Sequence, residues 1–141
     1  MKASEKAIEV IKEHEGLRLK AYTDHVGVVT IGYGHTKTAR EGMEIDQAQA
    51  EVLLKQDISG AERIVSWYVG RVSQNQFDAL VSFVFNVGSG KFKGSTLLKK
   101  VKADPNDPTI ADEFKRWVRG GGKVLPGLVK RRTKEAELYF S

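Results

Sequence analysis

The chain has no cysteine, and that absence removes disulfides, thiolate nucleophiles and zinc-thiolate sites together. Its three histidines, His14, His25 and His35, fall at no metal-ligand spacing, so no metal is expected. No apolar run approaches the roughly 18 residues of a membrane span. Met1 to Lys12 is broken by charge too often to form a signal-peptide core. These absences predict a chain that starts in the cytoplasm and does not insert stably in a membrane. What is present fits one domain: 141 residues with 40% hydrophobic content can bury about 68 to 70% of the unfolded surface, enough for a cofactor-free monomer.

The most informative segment runs EGLRLKAYTDHVGVVTIGYGHT from Glu15 to Thr36. A helix from about Ser4 to Glu15, turning about 100° per residue, sets Ala7, Ile8, Val10 and Ile11 on one arc and Glu5, Glu9 and Glu13 on the other. Glu15 falls beside Ile8 and Ile11, facing inward just before the helix stop at Gly16. Removing a carboxyl from water favours its neutral form, as a general acid requires, so Glu15 is the candidate acid.

Leu17 to Tyr22 and Val26 to Tyr33 then alternate apolar and β-branched residues around Thr23, Asp24 and His25, the pattern of a β-hairpin. Alternation places Val29, Ile31 and Tyr33 on one face and Val28, Thr30, Gly32 and Gly34 on the other, leaving a bare surface beside Thr30. A water held between Asp24 as base and Thr30 as hydroxyl partner, across from Glu15, would complete the set that glycoside hydrolysis needs. Each residue taken singly has an ordinary role at a helix end, in a turn or in a strand; their combination is what points to chemistry.

Glu15, eight residues, Asp24, five residues and Thr30, with TIGYGHT following, resembles the catalytic segment of the phage-type lysozymes, the endolysins of glycoside hydrolase family 24 and of the T-even phage lysozyme family. The resemblance continues in Gln76 to Leu80, in SFVFNVG from Ser82 to Gly88, in Gly94 to Thr96 and in PGLVKRR from Pro126 to Arg132, and so covers essentially the whole chain. It implies cleavage of the β-1,4 bond between N-acetylmuramic acid and N-acetylglucosamine in bacterial peptidoglycan, with Glu15 as acid and Asp24 and Thr30 positioning the water. It implies no cofactor, and it implies release from the host cytoplasm to the periplasm and cell wall by a holin. Phe85, Asn86 and Ser95 match family positions near bound sugar; plain core, helix-end and N-cap roles suit them equally. His35 is read as a hydrogen-bonded support near the acid. One of Arg131 and Arg132 is expected to face Glu15.

The rest reads as helical. Asp46 with Gln49 and Ser73 with Gln76 are capping boxes. The first starts a helix to about Ile58 that Gly60 breaks or kinks; the second starts an apolar core helix ended by Gly88 and Gly90. Shorter helices follow near Thr96 to Lys102, Thr109 to Val118 and Leu128 to Tyr139, the last after Pro126. The expected architecture is α+β and lysozyme-like: one catalytic domain over 1–141, with a small β-hairpin lobe at about 15–45 and a larger helical lobe at about 70–141 plus the N-terminal helix. The helix from Asp46 bridges them, and the cleft lies between lobes.

Acids are missing from Phe114 to Lys134, where Lys115, Arg116, Arg119, Lys123, Lys130, Arg131, Arg132 and Lys134 concentrate the net charge of +5. Such a tract fits a polyanion or simply a solvated face, and Phe114 and Trp117 among the charges keep binding open. The resemblance favours the wall over nucleic acid as partner. Two competing functions remain: a lytic transglycosylase, which needs no water-positioning Asp24 and Thr30, and a non-catalytic basic module, which leaves Glu15 unexplained and lacks any helix-turn-helix, RNP or repeat signature.

Overall fold

The computed structural model describes residues 1–141. Helix α1 (Glu5–Glu15) leads into strands β1 (Arg18–Thr23) and β2 (Val29–Gly32), then α2 (Gln47–Tyr68) and α3 (Gln74–Val87). Three short helices follow, α4 (Ser89–Lys93), α5 (Thr96–Ala103) and α6 (Ile110–Lys115), then a second hairpin of β3 (Arg119–Gly120) and β4 (Lys123–Val124), and finally α7 (Pro126–Tyr139). The fold is α+β, with a small hairpin lobe and a larger helical one.

Both capping boxes form. The Asp46 carboxylate accepts from Gln49 N–H while the Gln49 side chain accepts from Asp46 N–H, and Ser73 and Gln76 repeat the exchange at α3. α3 is buried from Gln76 through Val84 and packs against α1, α2 and α7. Phe83 at its middle meets Phe114 and Trp117 edge-on, each at 5.6 Å between ring centroids, and Phe92 at 6.2 Å. Phe114 is fully buried and Trp117 packs against the core, so neither ring of the basic tract is presented as a free stacking surface.

In the hairpin lobe, β1 and β2 pair antiparallel with Tyr22 opposite Thr30. The chain around Met43 to Ile45 closes the other edge of β1, with Ala21 N–H donating to Met43 carbonyl and Ile45 N–H to Leu19 carbonyl, both at 2.9 Å. The second strand is shorter than alternation predicts. Gly32 and Gly34 have φ of +64° and +72°, and the segment folds back so that Ile31 and His35 exchange both backbone hydrogen bonds at 2.9 Å. The two glycines therefore build a tight turn instead of extending the face of Thr30.

Lys12 on α1 and Glu51 on α2 form an ion pair of 2.7 Å. Their mutual hydrogen bond holds the ammonium above and the carboxylate below their ordinary pKa values. The pair ties α1 to the start of α2, which also touches β2 before running on to α3.

Three expectations about the helices are corrected. α2 runs unbroken through Gly60 because Leu54, Ile58, Ala61 and Val65 continue one buried stripe against the core, and that burial outweighs the weak helix preference of one glycine. The helix expected over 109–118 stops at Lys115, and the chain then makes the β3–β4 hairpin around Gly121 and Gly122, both at positive φ. A further turn of helix, α4, occupies the stretch in which Gly90 was read as a stop.

A Cβ at Gly60 would meet only Lys37 Nζ, at an ordinary 3.8 Å. Gly60→Ala is therefore expected to stabilise the protein by about 0.5 to 1 kcal/mol in urea denaturation; a loss of stability would mean that α2 requires the glycine.

Candidate active site

Glu15 is the last residue of α1, and Gly16 at φ +69° turns the chain away while its N–H closes on Lys12 carbonyl at 2.9 Å. One turn beyond fully buried Ile11, Glu15 keeps its side chain only 20% exposed, whereas Glu5, Glu9 and Glu13 face solvent. The inward placement follows the helical period. Gly34 lies directly against the carboxyl: a Cβ there would stand 2.8 Å from Glu15 Cδ, so only glycine fits both the space and the positive φ.

Arg131 is the arginine that faces Glu15. Its Nη1 donates to Glu15 Oε2 at 2.7 Å, its Nη2 to Ser82 carbonyl at 3.2 Å and its Nε to Glu135 Oε2 at 3.3 Å. Arg132 donates from Nη1 to Glu135 Oε1 at 2.6 Å, from Nε to Trp117 carbonyl at 2.8 Å and from Nη2 to Asn86 Oδ1. Ser82 Oγ completes the set by donating to Glu135 Oε2 at 2.5 Å. Burial pushes the Arg132 guanidinium down from its ordinary pKa, and the Glu135 carboxylate opposes that shift. Arg131, Arg132 and Glu135 are all nearly inaccessible, so two of the eight cations of the basic tract belong to the interior. Arg116 pairs with Glu113 at 3.2 Å and Lys134 with Glu13 at 3.5 Å. Lys115, Arg119, Lys123 and Lys130 remain exposed without an acidic partner.

Across the cleft, Asp24 sits at the hairpin turn. Its Oδ1 accepts from Val26 N–H at 3.0 Å and Val28 N–H at 2.8 Å, which leaves Oδ2 without a partner inside the chain. Thr30 is buried, and its Oγ1 donates to Val28 carbonyl at 3.1 Å. Glu15, Asp24, Thr30, Tyr22, Phe85 and Asn86 line one cavity of about 610 Å³. The structure thus brings together the three residues singled out as catalytic and two of the three singled out for sugar.

Ser95 is not among them. It is buried at the start of α5, where its Oγ donates to Phe92 carbonyl at 2.7 Å and accepts from Leu98 N–H at 3.1 Å; its hydroxyl is used as an N-cap. His35, read from sequence as a support near the acid, is buried and bonds to Asp57 on α2 and not to Glu15. Thr38 N–H donates to its Nε2 at 3.2 Å, so the proton lies on Nδ1 and is donated to Asp57 at 2.7 Å. That bond docks the turn carrying Gly34 onto α2. Ser82 and Glu135 escaped sequence reasoning, although a serine inside an apolar helix and an Arg-Arg-x-x-Glu run were available signals.

A small hairpin lobe, a larger helical lobe and a carboxyl-bearing cleft between them define a lysozyme-like protein. The family model described as phage lysozyme matches residues 12–135. The endolysin of Acyrthosiphon pisum secondary endosymbiont phage 1 is 43% identical over 146 residues, covering 100% of this chain and 99% of that one. The endolysin of Salmonella phage P22 is 39% identical over 147 residues, with the same coverage of 100% and 99%. Among solved structures, the muramidase domain of SpmX from Asticaccaulis excentricus matches with a TM-score of 0.88 at 38% identity, over 99% of this chain and 98% of that one. The chain belongs to the phage lysozyme family.

Removing Arg131 leaves Glu15 and Glu135 short of a partner. Arg131→Met is expected to cost about 3 to 5 kcal/mol of stability in urea denaturation, and a loss below about 1 kcal/mol would show that the network is not a folding constraint.

Proposed function

We propose that this chain is an endolysin, a muramidase that hydrolyses the β-1,4 bond between N-acetylmuramic acid and N-acetylglucosamine in peptidoglycan and so lyses the host cell. Membership of the phage lysozyme family supports the reaction class. The observation that carries the residue roles is the shared cavity in which Glu15, fixed by Arg131, meets Asp24 and Thr30.

Glu15 Oε2 is engaged by Arg131, and Oε1, beside Gly34, has no partner in the chain. Oε1 is the oxygen to carry the proton to the glycosidic oxygen. On the other side, Asp24 Oδ2 is free, and Thr30 Oγ1 has committed its proton to Val28 while keeping lone pairs. A water donating one O–H to Asp24 Oδ2 and the other to Thr30 Oγ1 keeps its own lone pair for the anomeric carbon. As the C–O bond breaks, Asp24 takes the water's proton and Glu15 supplies one to the leaving group, so protons balance over the step. Attack from the face opposite the acid inverts the centre, and the β bond yields an α-anomeric product. Phe85 and Asn86 would contact the sugars; Ser95 is left out of the site.

Residues 1–141 act as one catalytic domain and as a monomer. The partner is peptidoglycan and not nucleic acid; exposed Lys115, Arg119, Lys123 and Lys130 favour an anionic wall. No helix is long and apolar enough to cross a membrane. Release from the host cytoplasm to the wall is assigned to a holin.

Purified peptidoglycan treated with wild type is expected to give reducing-end muropeptides by mass spectrometry, and Glu15→Gln to give none while remaining folded. Turnover by Glu15→Gln would overturn the role of the acid, 1,6-anhydro products would make the chain a transglycosylase, and intact substrate with wild type would leave a binding module. Asp24→Asn should lose at least about 100-fold in kcat, the scale of general base catalysis. Proton NMR of fresh product should show the α anomer first; a β anomer would replace the water-positioning role of Asp24 by a nucleophilic one.

A further inference from the structure

The catalytic cavity does not end at Glu15. Gly34, Thr36 and Phe85 line it and also line a second cavity of about 460 Å³, which lies between the turn after β2, the middle of α2 and the end of α3. Its charged residues are Lys37, Asp57 and Arg63. Asp57 is already engaged by His35 at 2.7 Å. Lys37 and Arg63 are exposed, and neither takes part in an ion pair or a side-chain hydrogen bond, whereas Arg131 and Arg132 beside Glu15 are both paired. The two converge from different elements: Lys37 Nζ stands 3.8 Å from the place of a Cβ at Gly60, and Arg63 follows Gly60 by one turn on the same helix. Lys37 thus lies over α2 at Gly60.

We infer that this compartment binds carboxylates carried by the substrate strand next to the cleaved bond, with Lys37 and Arg63 as the recognising cations. The inference rests on the muramidase reading. A glycan that enters at Glu15 and continues past Phe85 brings its substituents over the two cations. Peptidoglycan offers carboxylates there from its peptide stems, or from the lactyl group once the stem is removed. An ammonium and a guanidinium in a concave site, with the one acid of its lining already accepting a hydrogen bond from His35, concentrate positive potential where such a group would sit.

The test compares wild type with the double variant Lys37→Gln, Arg63→Gln on solubilised peptidoglycan, on the same material with its carboxylates amidated by carbodiimide and ammonia, and on glycan stripped of stems by an amidase. On unmodified substrate the variant's KM should rise about 5- to 10-fold, the effect of two partly screened ion pairs, with the change carried by KM and diminishing as salt is raised. Amidation should raise the wild-type KM to the variant's value and leave the variant's own unchanged. A wild-type advantage kept on stripped glycan assigns the lactyl carboxylate, and one lost there assigns the stem. An unchanged KM on unmodified substrate, or an equal rise on amidated substrate, would overturn the inference. Failure of wild type to cleave any of the three would instead overturn the muramidase reading, so the two failures are distinct.

Discussion

Glu135 is a carboxylate with no access to water, and satisfying it organises the helical lobe. It sits on α7, receives Arg131 and Arg132 from its own helix and Ser82 from α3, and those arginines reach on to Glu15 at the end of α1, Asn86 at the end of α3 and the Trp117 carbonyl beyond α6. A guanidinium suits this because its planar fork offers donors in several directions, and Arg131 spends Nε, Nη1 and Nη2 on partners from three helices. Buried ion pairs seldom exceed well-packed apolar residues in net stabilisation, because desolvation offsets their attraction. Their main consequence here is geometric: any arrangement of α1, α3 and α7 that leaves one of these charges unpartnered costs several kcal/mol. Glu15 is therefore placed by the helical lobe, although it belongs to the element that enters the hairpin lobe.

The opposite wall of the cleft is built on another principle. Asp24 is held by the N–H groups of Val26 and Val28, and Thr30 by the Val28 carbonyl, so this wall is defined within one hairpin turn. Its link to the helical lobe at that point is slight, His25 lying near Gly120. One wall is fixed by long-range ionic bonds and the other by local backbone bonds. The distance between them is governed by α2, the 22-residue helix that joins the lobes, with the His35–Asp57 pair fastening the hairpin side to it and the Lys12–Glu51 pair fastening α1.

This division decides what could be read from sequence. The inward turn of Glu15, both capping boxes and the hairpin around Asp24 are local patterns, set by periodicity and by side chains bonding to nearby backbone, and each formed. Gly60 could not be judged locally, because the buried stripe of Leu54, Ile58, Ala61 and Val65 that carries α2 through it depends on packing. Gly32 and Gly34 were noticed for what they lack, yet the reason at Gly34 is the Glu15 carboxyl, nineteen positions earlier in the chain. Ser95 reads identically as a sugar contact and as an N-cap until its neighbours are known. The family resemblance narrowed the facing arginine to a pair, and only the geometry of α7 selects Arg131.

The same geometry revises the meaning of the net charge. Arg131 and Arg132 with Glu15 and Glu135 sum to zero, so the formal +5 belongs wholly to residues outside the network. The exposed lysines and arginines act through solvent, where attraction fades over about 8 Å at physiological salt. The buried arginines act at hydrogen-bond distance and are little screened. A cationic exterior can draw the protein to an anionic wall through solvent, while the charge felt at the cleaved bond is set at short range by Glu15, its partner Arg131 and Asp24. Attraction to the wall and the electrostatics of the reacting centre are thereby separable properties of one small chain, carried by different members of what reads in sequence as a single basic run.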